Sequence, residues 1–252
     1  METGGQRTRR LAWEGCLNVR DLGGYPAANG RESRWGAVVR SDNLSPLTEA
    51  GRIALRDYGI RSIIDLRMPD EAEQLPNPFA EPGDHGITYT IVSFINPAVP
   101  PPDEFTTLAN SYVGMLERFR HEVSDIMRII ARAPEGGVLV HCHAGKDRTG
   151  LVCALLLELA GVDRKTVGAD YALSEECLMP RVEEWLENSP PDERAEREKV
   201  LSKYSPRAEV MVEVLERLDQ RYGGVEPYLL QAGVAPQEIA RLRERLLYQP
   251  AV

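Results

Sequence analysis

The sequence predicts an α/β protein, and three observations carry that prediction. Short apolar runs of strand length alternate with longer segments whose apolar residues recur at helical spacing. The run Val138-Leu139-Val140 leads through a short loop into a second apolar segment, 148–161. This segment has Leu151, Val152, Leu155, Leu156 and Leu159 on its buried side and Gly161 as its stop. Finally, 42% of the 252 residues are hydrophobic, enough for a sizeable core, and neither an internal repeat nor a linker divides the chain. The expectation is a single domain over residues 1–252.

Taken in order, residues 1–10 are polar and glycine-bearing and read as a disordered start. Leu17-Asn18-Val19-Arg20-Asp21-Leu22-Gly23-Gly24-Tyr25 reads as a short strand ending in a Gly-Gly turn. Residues 37–39 form a second strand. Thr48 caps a helix that runs to Tyr58 and stops at Gly59. Residues 62–67 form a strand that is apolar in its middle and charged at its exit, with Asp65 and Arg67. Ligands of open α/β sheets bind beyond the carboxyl ends of strands. Asp65 and Arg67 therefore either neighbour a site or make a salt-bridged strand end.

Residues 76–86 are a Pro/Gly-rich loop, 87–94 a strand, and 96–104, with four prolines, a candidate flap. From Phe105 onward, Leu108, Tyr112, Met115, Phe119, Val123, Ile126 and Ile130 predict one long amphipathic helix with its aromatics in the core. A helix is expected over 163–177. The densely charged 181–203, broken at Pro190-Pro191, reads as a solvated helix pair or, alternatively, a docking surface. Ser205-Pro206 opens a helix that ends at Gly223-Gly224, and 235–248 is the last helix.

The chemistry concentrates between the strand at 138–140 and the helix after it. There the text runs His141-Cys142-His143-Ala144-Gly145-Lys146-Asp147-Arg148-Thr149-Gly150. A loop at a helix N-terminus collects unpaired N–H groups and the positive end of the helix dipole, so it attracts anions. A Cys in that field ionises more easily than a free thiol. Arg148 adds a planar fork of donors that matches phosphate oxygens.

The Cys-x5-Arg-Thr spacing resembles the signature loop of the cysteine-dependent phosphatases. The ten ordered positions resemble, more narrowly, the bacterial atypical tyrosine and dual-specificity phosphatases, some of which also act on phosphoinositides. Arg20-Asp21-Leu22-Gly23-Gly24-Tyr25 is similar to the opening of the same family. Ala169-Asp170-Tyr171-Ala172-Leu173-Ser174 and the Tyr222-Gly223-Gly224-Val225 region resemble later parts of it. The resemblance implies a central, mostly parallel sheet of four or five strands with helices on both faces and extra C-terminal helices.

It also implies a mechanism. Cys142 as thiolate attacks phosphorus in line and forms a phosphocysteine. The backbone from His143 through Ala144, Gly145 and Lys146 to Arg148 holds the equatorial oxygens, and Arg148 binds two of them. Thr149 donates its hydroxyl to the Cys142 sulfur. His141 orients the loop through backbone near Cys142, and Arg20 and Asp21 are candidates for bracing the loop; His143 departs from the residue types of that family and is read as pointing outward, where it can touch substrate.

The family resemblance implicates Asp147 as the general acid. A bracing role for Asp147, and Asp103 as the acid, remain as alternatives; Asp70 after Met68-Pro69 sits one strand too early. Lys146 adds a charge that suits a phosphoinositide ring, whereas the net charge of −9 favours phosphoprotein substrates. Phosphotyrosine-type or dual-specificity phosphoprotein substrates rank first and phosphoinositide second. A rhodanese-like sulfur transferase and a non-catalytic phosphate-binding module are the competing classes. The Lys146-to-Gly150 tail argues against the first, and the presence of Cys142, Arg148 and an acid candidate argues against the second.

No cofactor is called for. Two His at 141 and 143 without a third ligand make a poor metal site. Cys16, Cys142, Cys153 and Cys177 show no disulfide or metal spacing. Cys153 and Cys177 read as buried small hydrophobes, with a resolving-thiol role as the alternative. The acidic charge argues against nucleic acid as a partner. No leader and no transmembrane run is evident, so the expected location is the cytoplasm, where a catalytic thiol stays reduced; leaderless secretion is compatible with the same sequence. Nothing in the sequence fixes an oligomeric state.

Overall fold

The computed structural model describes residues 7–81, 86–95 and 107–248. Its five strands are β1 (Arg20–Asp21), β2 (Val38–Ser41), β3 (Ile60–Asp65), β4 (Thr88–Ile91) and β5 (Gly137–His141). They form one sheet in the order β1-β2-β5-β3-β4, parallel throughout except for β1. β5 is thus central. Ser41 and Asp65 flank His141 in register, so three strands end side by side at the sheet's carboxyl edge.

Side chains along β5 alternate between two apolar layers, as a strand buried on both faces requires. Leu139 packs with Val39, Ile63 and Leu55, the last on α1 (Glu49–Asp57), whose N-cap Thr48 accepts from Gly51 N. Val138 and Val140 face the larger layer. That layer is built by α3 (Leu108–Arg118), α4 (Arg120–Arg132), α5 (Asp147–Leu159), α6 (Arg164–Glu187), α8 (Ala208–Tyr222), α9 (Val225–Gln231) and α10 (Pro236–Leu246). Two further helices, α2 (Pro69–Gln74) and the wholly exposed-to-intermediate α7 (Pro191–Lys203), lie outside the core. Helices therefore cover both faces, unequally. Among the described residues no helix is long and apolar enough to cross a membrane.

α5 is buried on nearly every side because it runs between the sheet and the outer helices. Leu156, fully buried there, is a sensitive probe of that layer. Leu156→Ala is expected to lower unfolding free energy by about 2–5 kcal/mol, the transfer and cavity cost of a buried Leu. Urea denaturation checks this.

Four expectations need correction. The single helix expected from Phe105 is two helices, broken at Phe119 (φ −106°, ψ 38°). α3 packs on α8 whereas α4 packs on α10, and the buried Phe119 fills the junction. Apolar periodicity sees the buried stripe but not the change of partner. The helix at 163–177 continues to Glu187 through Pro180, whose ring lies on the exposed face, where the carbonyl it leaves unpaired meets water. Ser205-Pro206 does not open a helix. Ser205 Oγ instead donates to Glu175 Oε1 at 2.7 Å, and α8 starts at Ala208. Residues 7–10 are placed rather than loose: Arg10 bridges to Arg20, and Arg9 stacks over the Tyr25 ring at 4.2 Å. The candidate flap at 96–104, with Asp103, lies outside the described residues.

Candidate active site

Residues 142–146 connect β5 to α5, and the backbone of this loop is fixed from outside. Asn43 N–H donates to His143 O at 2.9 Å, and Asn18 Nδ2 to Ala144 O at 2.9 Å. Gly145 O accepts from Asn18 Nδ2 at 3.2 Å and Arg40 Nη2 at 2.8 Å. Gly145 has φ +65°, and a Cβ there would lie 2.4 Å from Ser41 O, so only glycine fits against the end of β2. Cys142, 2% exposed, sits at the base of the loop where α5 begins.

His141 is fully buried behind it, with Nδ1 3.3 Å from Cys142 O and Nε2 3.0 Å from Asn77 Nδ2. Burial outweighs the nearby Asp65 and lowers the His141 pKa, which keeps the ring neutral. A neutral ring with its proton on Nδ1 satisfies both contacts. Asp65 and Arg67 are both fully buried and form a salt bridge of 2.7 Å. Asp65 also accepts from Tyr89 OH at 2.8 Å. Arg67 Nη1 donates to Asn43 Oδ1 at 3.0 Å, and Asn43 N–H in turn holds His143 O. The strand-end pair thus lies beneath the loop and reaches it through Asn43 and His141.

Arg148 meets a partner that sequence reasoning missed. Its Nη1 and Nη2 take both oxygens of Glu71, on α2, at 2.5 and 2.8 Å. Nη1 also approaches Leu66 O at 3.4 Å. Among the described residues this leaves Nε–H and the outer N–H of Nη2 unbonded, and these two lie along one edge of the guanidinium. Burial opposes the Arg148 charge, but the bonds from Glu71, with Cys142 and Asp147 near, outweigh it and raise its pKa. The bond from Arg148 holds the Glu71 carboxyl below its ordinary range. Asp70, set aside in the sequence as lying one strand too early, is exposed, and its neighbour Glu71 is the residue of that turn that reaches the loop, through Arg148.

Asp147 Oδ1 accepts a hydrogen bond from Tyr112 OH, whose oxygen is 2.7 Å from Tyr171 OH. Burial first, then Asp147, pushes the Tyr112 pKa up, so the phenol stays a donor. Lys146 Nζ donates to Tyr204 O at 2.9 Å and lies 3.6 Å from Asp147 Oδ1. His143 is exposed at the rim. Thr149 is buried, and its Oγ1 has no hydrogen-bond partner in this structure, Cys142 Sγ included.

Arg20 reaches the loop indirectly, through Asn18 Oδ1 and through Asp170, which Arg40 shares, and among the described residues Asp21 makes no hydrogen bond to it. Asp21 accepts from Gly23 N, Gly36 N and Tyr58 OH at the far end of β1. Burial pushes the Cys153 thiol up to about 12. No group of three or more His, Cys, Asp or Glu that could hold a metal occurs among the described residues.

A parallel sheet whose central strand feeds a Cys-x5-Arg loop into a buried helix defines an enzyme of the tyrosine- and dual-specificity-phosphatase class. The profile of the tyrosine phosphatase family matches residues 11–248, and the chain belongs to that family. It is 34% identical over 227 residues to a tyrosine-protein phosphatase of Nostoc commune, covering 83% of this chain and 74% of that one. It is 29% identical to the triple specificity protein phosphatase PtpB of Mycobacterium tuberculosis, covering 92% of this chain and 97% of that protein.

Proposed function

We propose that residues 1–252 form one phosphatase domain that hydrolyses phosphomonoesters of phosphotyrosine-type or dual-specificity phosphoprotein substrates without a metal, through a phosphocysteine. The observation that carries this is the meeting of Cys142, a loop with three successive carbonyls held outward on donors, and an Arg148 edge with two N–H groups unbonded among the described residues.

In the first step the Cys142 thiolate attacks phosphorus, an S–P bond forms and the P–O ester bond breaks. The loop amides and the free Arg148 edge take the equatorial oxygens, and Asp147 gives its proton to the departing oxygen. In the second step water attacks phosphorus, Asp147 takes back a proton, and sulfur leaves as thiolate with release of inorganic phosphate. Thr149 Oγ1, buried and unbonded, is available to donate to that thiolate after a rotation about χ1. Tyr112 holds the Asp147 carboxyl in place. The need to keep Cys142 reduced favours a cytoplasmic setting.

Turnover of p-nitrophenyl phosphate in chelator, abolished by vanadate, tests the mechanism. Turnover that requires added metal overturns it. The role of Asp147 has its own test. Asp147→Asn is expected to lose about 10²–10⁴-fold in kcat on tyrosyl or alkyl phosphate, the usual worth of a general acid. The loss should be far smaller on a nitrophenyl ester, whose leaving group departs unprotonated. An equal loss on both assigns Asp147 to bracing.

A phosphoinositide phosphatase is the second reading. It is favoured by Lys146, whose ammonium donates to Tyr204 O and lies 3.6 Å from Asp147 Oδ1, which sets a second positive charge beside Arg148 for a further phosphate. A side-by-side panel of phosphopeptides and phosphoinositides decides between them. A preference above about tenfold in kcat/KM, roughly 1.4 kcal/mol, for the inositides reverses the order.

A further inference from the structure

We propose that Asn18 and Arg40 are positioning residues that set the direction of the loop amides and thereby the acidity of Cys142; the inference rests on the phosphatase reading of this site. In a trans peptide the C=O and the following N–H point in opposite directions. A carbonyl held outward therefore aims the next amide inward. Three successive planes are held this way. Asn43 N fixes His143 O and so the amide of Ala144. Asn18 Nδ2 fixes Ala144 O and so the amide of Gly145. Asn18 and Arg40 together fix Gly145 O and so the amide of Lys146.

Neither side chain has freedom to relax. Asn18 is fully buried, its Oδ1 accepts from Arg20 Nη1, and its own N–H donates to Asp42 Oδ1 at 3.0 Å. Flipping its amide would put NH2 against a guanidinium and oxygen against two carbonyls. Arg40 is also fully buried. Its Nη1 pairs with Asp170 Oδ2, and its Nη2 reaches Ser174 Oγ at 3.3 Å as well as Gly145 O. Asp170 is shared with Arg20 Nε at 3.3 Å and Tyr25 OH at 3.1 Å. Two cations on one carboxylate would leave an excess positive charge in the interior. The carbonyl dipole of Gly145 points at Arg40 and offsets part of it, while Ala144 O is held by the neutral amide of Asn18. The network therefore draws the loop carbonyls toward itself, whatever occupies the other side. Asn18 and Arg40 bind the outer side of the loop and act on the chemistry only through the amides.

Asn18→Asp tests this with almost no change of shape. One carboxylate oxygen still accepts from Arg20, while the other now faces two carbonyls and repels them. Three quantities are measured beside the thermal midpoint: the pH dependence of Cys142 alkylation by iodoacetamide, tungstate affinity by calorimetry, and kcat and KM on p-nitrophenyl phosphate. The alkylation midpoint is expected to rise by about one pH unit or more, since inward amides stabilise the thiolate. Tungstate affinity and kcat/KM should each fall about 10- to 100-fold, the usual cost of losing an outer positioning contact. Arg40→Lys, which keeps the charge beside Asp170 but not the donor to Gly145, should give a smaller shift in the same direction.

Wild-type alkylation midpoint and wild-type tungstate affinity in Asn18→Asp overturn the inference. So does a loss that matches the unfolded fraction alone. If Asn18→Asp does not fold, Asn18→Ser, which removes the donor without adding charge, is read by the same criteria. Alkylation and tungstate binding need no turnover, so the inference stands or falls even if the wild-type protein cleaves no ester, a result that would overturn the phosphatase reading alone.

Discussion

Cys142→Ser is expected to abolish turnover, by more than about 10⁴-fold on any phosphomonoester, while phosphate and tungstate still bind. The substitution exchanges sulfur for a slightly smaller oxygen at a site 2% exposed, so packing hardly changes. Ionisation changes far more. A thiol can supply the thiolate nucleophile that the reaction needs, whereas a serine hydroxyl stays protonated at the same place. The three peptide planes that would hold oxyanion oxygens are fixed by Asn43, Asn18 and Arg40, not by Cys142. Binding and chemistry are therefore separable. Stopped-flow assay of single turnover beside calorimetric titration with tungstate measures both. Substantial turnover in Cys142→Ser would move the nucleophile elsewhere.

Arg148→Lys carries the second largest effect, about 3–5 kcal/mol in kcat/KM. The geometry sharpens the reason. On the phosphatase reading Arg148 would serve two anions at once, with Glu71 on its two Nη nitrogens and the edge left unbonded among the described residues taking phosphate. A lysine has a single ammonium and cannot span both. Left to choose, it is expected to pair with Glu71, the carboxylate that already holds position 148 in this structure. The phosphate then meets an incompletely neutralised carboxylate. The double variant Arg148→Lys, Glu71→Gln should recover part of the loss, which a purely geometric role for arginine would not allow.

Much of this was legible in the sequence because it is local. The run from His141 to Gly150 places strand, loop and helix within ten residues, and the alternation of apolar runs places all four parallel strands to within three residues. What stayed hidden is what joins distant parts of the chain. Glu71 meets Arg148 across 77 residues, Asn18 meets Gly145 across 127 and Arg40 meets Asp170 across 130. A lone polar residue carries no period, and its partner is chosen by the fold. Tyr112 illustrates the limit. Its helical spacing marks it correctly as core, yet its hydroxyl lies at the edge of that core, on Asp147. The break at Phe119 was invisible for a related reason, since one continuous stripe served two different neighbours.

α6 has two unlike halves on either side of Pro180. The first carries Asp170 and Ser174 into the buried network under the loop. The second runs out beside α7, which buries no residue at all. The outer half still reaches inward, where Arg181 Nη2 lies 2.7 Å from the buried Asp42 Oδ2, so substitutions in α7 alone are expected to cost little stability and to leave Asp170 untouched. One helix thus joins the support of the loop to an outlying surface, and change confined to α7 can remodel that surface while Asp170 and the loop it steadies stay as they are.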